Sequence, residues 1–142
     1  MNENNIDIFK PKILKNNSNI KIDPITTEII RSSLNSAAEQ MKKTLVRSAF
    51  SPIIYEVLDF ASAIYDKNYC MLAQSPSLPG FMGTLSFCVE QAVLEVGGVE
   101  NLFDGDIIVY NNPYGSGSHS QDAAIVKPVF LENELIGYTA IK

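Results

Sequence analysis

Residues 123–142 read AAIVKPVFLENELIGYTAIK. Two runs rich in β-branched and aromatic residues, AAIVKPVF and LIGYTAIK, flank the polar Glu132-Asn133-Glu134. That is the pattern of a β-hairpin. Tyr138 to Ile141 then carry strand character to the last residue with no turn or cap after them, which reads as an exposed edge strand. Upstream, VLDFASAIYDKNYCMLAQS (57–75) repeats the pattern around the turn former Asp66-Lys67-Asn68. Between the two, DGDIIVY (104–110) reads as a turn into a buried strand.

Two helices complete the picture. In DPITTEIIRSSLNSAAEQMKKTLVRSAF (23–50), Asp23 is a good N-cap and Pro24 suits the first turn, where its missing N–H costs nothing. Ile25, Ile29, Leu34, Ala37, Ala38, Met41, Leu45 and Ala49 recur at roughly helical spacing and predict one buried face. Ser51-Pro52 should stop the helix. SPSLPGFMG (75–83) reads as a loop. A second helix is expected from about Thr84 to Val96, burying Leu85, Cys88, Val89, Ala92, Val93 and Val96, with Gly97-Gly98 as its stop. The sum is an α+β fold: a long N-terminal helix, β-hairpins and a second helix. Residues 1–22, rich in Asn and Lys, read as a flexible arm, and residues 23–142 as one unit.

Composition narrows the function classes. The chain has 142 residues, 46% hydrophobic and 19% charged, enough for one domain with a core. No stretch nears the roughly 18 continuous apolar residues of a membrane span. The polar N-terminus lacks the apolar run of a secretory signal, so a cytoplasmic protein is expected. From Ser48 onward three basic residues face eleven acidic ones. Such a body repels phosphate backbones and argues against nucleic acid as a partner. Cys70 and Cys88 form no CxxC pair and read as buried thiols.

The chemistry gathers in YNNPYGSGSHSQD (110–122), which holds the single histidine of the chain. His119 and Asp122, three residues apart, can converge on one cation from a turn. Imidazole nitrogen with carboxylate oxygen suits Zn, Mn or Fe better than Ca or Mg. The glycines Gly115 and Gly117 permit unusual backbone angles and close approach of a substrate. By spacing alone the plainer reading comes first: a lone histidine in a polar loop is usually just solvated or hydrogen-bonded. A catalytic ion usually takes three protein ligands, and Asp59, in the apolar stretch YEVLDFASAI, is the best third candidate. Its plainer reading is a hydrogen-bonded carboxylate at a strand edge. Glu56 is either a supporting base or a surface charge. Two rivals are set aside. The GSG run is not followed by GxxxxGK[ST] or by a helix pattern, so it is no phosphate cradle. Ser118, His119 and Asp122 are too close in sequence for a hydrolase triad, and no GxSxG elbow is present.

Two stretches resemble one family. The segment from Asp23 to Asp66 looks like the opening of the hydantoinase B / 5-oxoprolinase family, which includes acetone carboxylase alpha-type subunits. GDIIVYNNPYGSGSHSQDAAIVKPVF looks like its signature GD-x-(3–4)-NDPY-x-GG-x-H-x-x-D, with Asn112 in place of the usual aspartate. The resemblance implies that the chain is the N-terminal part of a longer metal-dependent subunit. His119, Asp122 and Asp59 would be ligands, with a further histidine in an AH-x-x-D-x-GG segment beyond Lys142. It implies a hydantoinase A-like partner subunit that uses ATP to activate a cyclic amide, which the complete subunit then hydrolyses; this chain alone would be inactive. Because IIYEVLDF is closer to the acetone carboxylase form, an alpha-type subunit carboxylating a ketone is an alternative. A non-catalytic remnant or assembly module, docking through the long helix and the last strand, is another.

Overall fold

A computed structural model describes residues 23–116 and 119–142; the expected arm at 1–22 lies outside the described residues. Helix α1 spans Pro24–Ser48. The Asp23 carboxylate accepts from the backbone N–H groups of Ile25 and Thr26 at 3.3 and 3.0 Å. It thereby satisfies donors that a helix start leaves unpaired. Ala49 turns extended and ends the helix just before Ser51-Pro52. A single turn, α2 (Pro52–Tyr55), leads into the sheet.

Five antiparallel strands follow: β1 (Ser62–Asp66), β2 (Met71–Gln74), β3 (Ile108–Tyr110), β4 (Ala124–Leu131) and β5 (Glu134–Ile141). Their order is β2-β1-β5-β4-β3. Both expected hairpins form. In the first, Asp66 Oδ1 accepts from the N–H groups of Asn68 and Cys70, each at 2.8 Å, and fixes the turn. In the second, Glu132 and Asn133 take φ of +50° and +68°, the two left-handed positions of a primed hairpin turn.

The last strand is not an edge. β5 occupies the centre of the sheet, pairing Ile141 with Ser62 of β1 on one side and with Ile125 of β4 on the other. Local pattern cannot reveal this, because β1 lies far away in sequence. The strand β3 corrects a second expectation. As an edge strand it buries Ile108 and Tyr110 only, and leaves Ile107 and Val109 exposed.

Helix α3 (Pro79–Glu95) packs on one face of the sheet. It starts at Pro79, five residues ahead of expectation, because a proline tolerates the first turn and Gly80 and Gly83 lie in open space. Leu85, Cys88, Val89, Ala92 and Val93 meet Ala61, Ala63, Tyr65, Ile108, Tyr110, Ala124, Val126, Tyr138 and Ala140. Of the predicted stripe only Val96 stays out, past the helix end. Gly97 and Gly98, both at φ +97°, stop the helix, and a Cβ on Gly97 would lie 2.3 Å from the Asn101 side chain. Both cysteines are free; Cys88 is buried and Cys70 half-buried.

Helix α1 lies against β1 and β2. The buried stripe expected there is a correction. Ala38 alone is fully buried, Leu34, Ala37, Met41, Leu45 and Ala49 are half-buried, and Ile25 and Ile29 stay exposed. The reason is reach: the helix is 25 residues long, and only its middle and C-terminal turns meet the short hairpin.

Two outcomes follow from this packing. A Cβ on Gly137 would sit 2.2 Å from the Tyr65 carbonyl oxygen, a backbone atom that cannot swing aside. Gly137→Ala should therefore cost about 1–3 kcal/mol or more in urea unfolding, as overpacking does. Burial pushes the phenols of Tyr65 and Tyr138 above the ordinary tyrosine value. A raised folded pKa contributes stability that is whole below the unfolded value near 10 and lost as pH rises through the folded one. Phenolate absorbance from these rings should thus appear together with loss of the circular dichroism signal, above about pH 10.

Candidate functional site

The loop from Asn111 to Ala123 joins β3 to β4 at one end of the sheet. Antiparallel pairing brings the C-terminal end of β5 and the N-terminal end of β1 to this same end, since Ile141 faces both Ile125 and Ser62. The topology therefore gathers His119, Asp122, Lys142 and the segment carrying Asp59 at one rim.

Among the described residues of the loop, the side chains of Asn111, Asn112 and Asp122 are engaged in hydrogen bonds. Asn112 Oδ1 accepts from Tyr114 N–H at 3.1 Å, and its carbonyl accepts from Gly115 N–H at 3.2 Å. These bonds start the single turn α4 (Pro113–Ser116). Across the loop base, Asn111 Nδ2 donates to the Ser120 carbonyl at 3.2 Å. From α3, Glu95 Oε1 accepts from the Tyr110 hydroxyl at 3.2 Å and from Asn112 Nδ2 at 3.1 Å. Burial first, then the Glu95 carboxylate, pushes the Tyr110 phenol up to about 12.

The structure brings His119 and Asp122 together. Asp122 Oδ2 accepts from the His119 backbone N–H at 3.0 Å and lies 3.2 Å from Nδ1. Asp122 N–H donates back to the His119 carbonyl at 3.1 Å, closing the turn. The imidazole is 85% exposed and the carboxylate only 21%. When Nδ1 carries the proton toward Asp122, Nε2 keeps its lone pair for a ligand. Carboxylate-oriented imidazole is a common setting for a metal-binding histidine.

The remaining predicted residues are not gathered with this pair. Among the described residues no three His, Cys, Asp or Glu side chains cluster closely enough to hold an ion. Asp59 is half-buried just before β1, its N–H donating to the Ile53 carbonyl at 3.0 Å. Glu56 caps α2 and is exposed. At Gly115 a Cβ would lie 2.0 Å from the Tyr110 hydroxyl. Gly117 lies outside the described residues. The residues present thus fit two positions of a metal centre, with Asp59 at the same rim.

Two residues escaped the sequence reading. Glu95 follows Leu85, Cys88 and Ala92 of α3 at the same heptad-like spacing but is itself exposed, and an acid in that register is a legible signal. Lys142 is 6% exposed. Its backbone exchanges both hydrogen bonds with Ala61 at 2.7 and 2.9 Å, and its ammonium lies 5.7 Å from the Phe81 ring centre. Burial pushes its amine down, while the nearby Cys88 and Asp122 pull it back up. No local pattern marks that position.

Comparison with known proteins agrees with this architecture. The hydantoinase B/oxoprolinase family profile matches residues 23–142. A 5-oxoprolinase of Dictyostelium discoideum is 30% identical over 145 residues, covering 92% of this chain and 11% of the relative. The caprolactamase subunit beta of Pseudomonas jessenii is 31% identical, covering 85% of this chain and 20% of that subunit. The crystal structure of the ATP-dependent caprolactamase from the same organism superposes with a TM-score of 0.74 at 29% identity, over 86% of this chain and 21% of that one. A nucleotide-free acetone carboxylase structure shares the fold, with a TM-score of 0.75 at 22% identity, over 84% of this chain and 16% of that one. The chain thus spans about a fifth or less of the length of these relatives.

Tyr110 is 5% exposed, so its ring cannot swing aside for a methyl group on Gly115. Gly115→Ala should break the Tyr110–Glu95 hydrogen bond or displace α4, at a cost of about 1–3 kcal/mol in thermal or urea unfolding. An alanine variant as stable as the parent would show that the loop approaches the sheet less closely than this geometry requires.

Proposed function

Because the chain belongs to the hydantoinase B/oxoprolinase family, we propose that it is part of a metal-dependent subunit of an ATP-dependent amidohydrolase that opens a cyclic amide. The single observation that carries this reading is the His119–Asp122 pair, an oriented and exposed imidazole on a turn at the sheet rim. His119 and Asp122 would hold a divalent ion such as Zn, Mn or Fe, with Asp59, carried to the same rim, as a further candidate carboxylate. Bound there, the ion would supply Lewis acidity toward a carbonyl or a water activated near neutral pH.

This chain's own residues prepare that site. Asp122 holds both the backbone and the ring of His119. Asn111 ties the loop base to Ser120, and Asn112 sets the turn into α4. Gly115 lets that turn approach Tyr110 closely. Glu56, exposed beside α2, fits a surface charge better than a base.

A hydantoinase A-type ATPase would be the partner, activating the substrate before the hydrolytic step. Support comes from the P. jessenii relative, which is described as an ATP-dependent caprolactamase and as a beta subunit. A cytoplasmic setting is part of the proposal; among the described residues no helix is long and apolar enough to cross a membrane. The IIYEVLDF segment favours a second reading, a subunit carboxylating a ketone. Product analysis separates the two: a ring-opened acid against a new carbon–carbon bond.

The experiment is metal binding followed by turnover. The full-length protein should bind one equivalent of Zn²⁺, Mn²⁺ or Fe²⁺ in calorimetry. His119→Ala should weaken that binding at least roughly tenfold, and should lower lactam- or hydantoin-dependent ADP release with the partner subunit. Equal affinity and equal turnover in the alanine variant would remove the reading.

A further inference from the structure

We infer that Glu95 is the positioning residue of the loop that carries His119 and Asp122, and that residue 112 must be an amide because Glu95 faces it. Glu95 ends α3, the helix that packs on the core. Its Oε1 receives two donors, the Tyr110 hydroxyl at 3.2 Å and Asn112 Nδ2 at 3.1 Å. Tyr110 is the last residue of β3, and Asn112 directly precedes α4. One carboxylate oxygen thus fixes both the exit of the strand and the entry of the turn.

The chemistry leaves little freedom. An ionised carboxylate only accepts, so both partners must donate. Asn112 cannot turn its amide over, because Oδ1 already accepts from Tyr114 N–H at 3.1 Å. Flipping would face two oxygens toward each other at Glu95 and two donors toward each other at Tyr114. An aspartate at 112 could hold the Tyr114 N–H only while setting a second carboxylate against Glu95, so the turn would open more often. The anchored segment then reaches the site directly, since Asn111 bonds to Ser120, the neighbour of His119. The functional part of this inference rests on His119 and Asp122 being ligands; the positioning part stands on the contacts alone.

A donor–acceptor swap tests it. Asn112→Asp should speed amide hydrogen exchange at Tyr114 and Gly115 roughly tenfold or more, the loss expected when a charge-assisted bond becomes a repulsion. Adding Glu95→Gln should return exchange to within about threefold of the parent, because the new side-chain amide can donate to the introduced carboxylate and still accept from Tyr110. A general loss of stability would not be rescued by a second substitution. If Asn112→Asp does not fold, Glu95→Gln and Glu95→Ala replace it: the glutamine variant should keep the parent exchange rates and the alanine variant should lose them tenfold. Unchanged exchange in Asn112→Asp, a double variant no better than the single, or equal behaviour of Glu95→Gln and Glu95→Ala overturns the inference. Zn²⁺ affinity is measured on the same proteins. A parent that binds no Zn²⁺ removes the metal reading and leaves the exchange result to decide the positioning role.

Discussion

β5 is hydrogen-bonded along both sides, to β1 and to β4, and the rest of the molecule is arranged around that fact. The pairing welds two hairpins, distant in sequence, into one sheet. Without it β1-β2 and β3-β4 would be separate ribbons, and a lone hairpin is at best marginally stable in water. The join is also closely packed. Tyr65 and Tyr138 are fully buried opposite each other, and Gly137 lets the backbone of β1 approach. The resulting face is wide enough for α3 to bury five apolar side chains against it. Those side chains, at roughly 1.5–3 kcal/mol each for the larger ones, are the principal drive for folding here.

What could be read from the sequence was what is local. The α1 cap, the Asp66 turn, the Glu132-Asn133 turn and the buried stripe of α3 are each specified within a few residues, and all appear. Strand order was not legible, because the partner of Ile141 in β1 is Ser62, and nothing in either segment names the other. The start of α3 was missed because two prolines and two glycines look like a loop. Yet only Pro79 decides, and it favours a first helical turn. The α1 stripe failed for the opposite reason: periodicity promises an apolar face but not a surface to cover it. Ile25, Ile29 and Phe50 remain exposed, as do Val109 and Ile125 on the sheet side away from α3.

The same division holds at the candidate site. His119 and Asp122 are three residues apart, so their meeting in a turn is local and legible. Glu95 and Asn112 are 17 residues apart and meet only because α3 and the β3–β4 connection pack on each other. Asp59 was chosen from its apolar surroundings. Topology carries it to the same rim as His119 and Asp122, but its cluster with the other two is not formed among the described residues. A family signature can name residue types, whereas the distance between two loops depends on contacts across the fold.

The loop joins rigidity below to exposure above, and this combination has a physical use. His119 is 85% exposed, yet its ring is oriented by Asp122, and its turn is tied through Asn111 to a segment anchored on α3. Ordering an exposed side chain at the moment of binding costs entropy that must come out of the affinity. Here that ordering is done in advance by hydrogen bonds that do not use Nε2. Beneath the loop, Lys142 closes the β1–β5 pairing with its ammonium buried over Phe81 and near Asp122. Asp122, which orients the histidine, also draws the Lys142 amine back toward its charged form, against the burial that pushes it down. The strand that makes the sheet possible thus also ends at the rim that carries the His119–Asp122 turn.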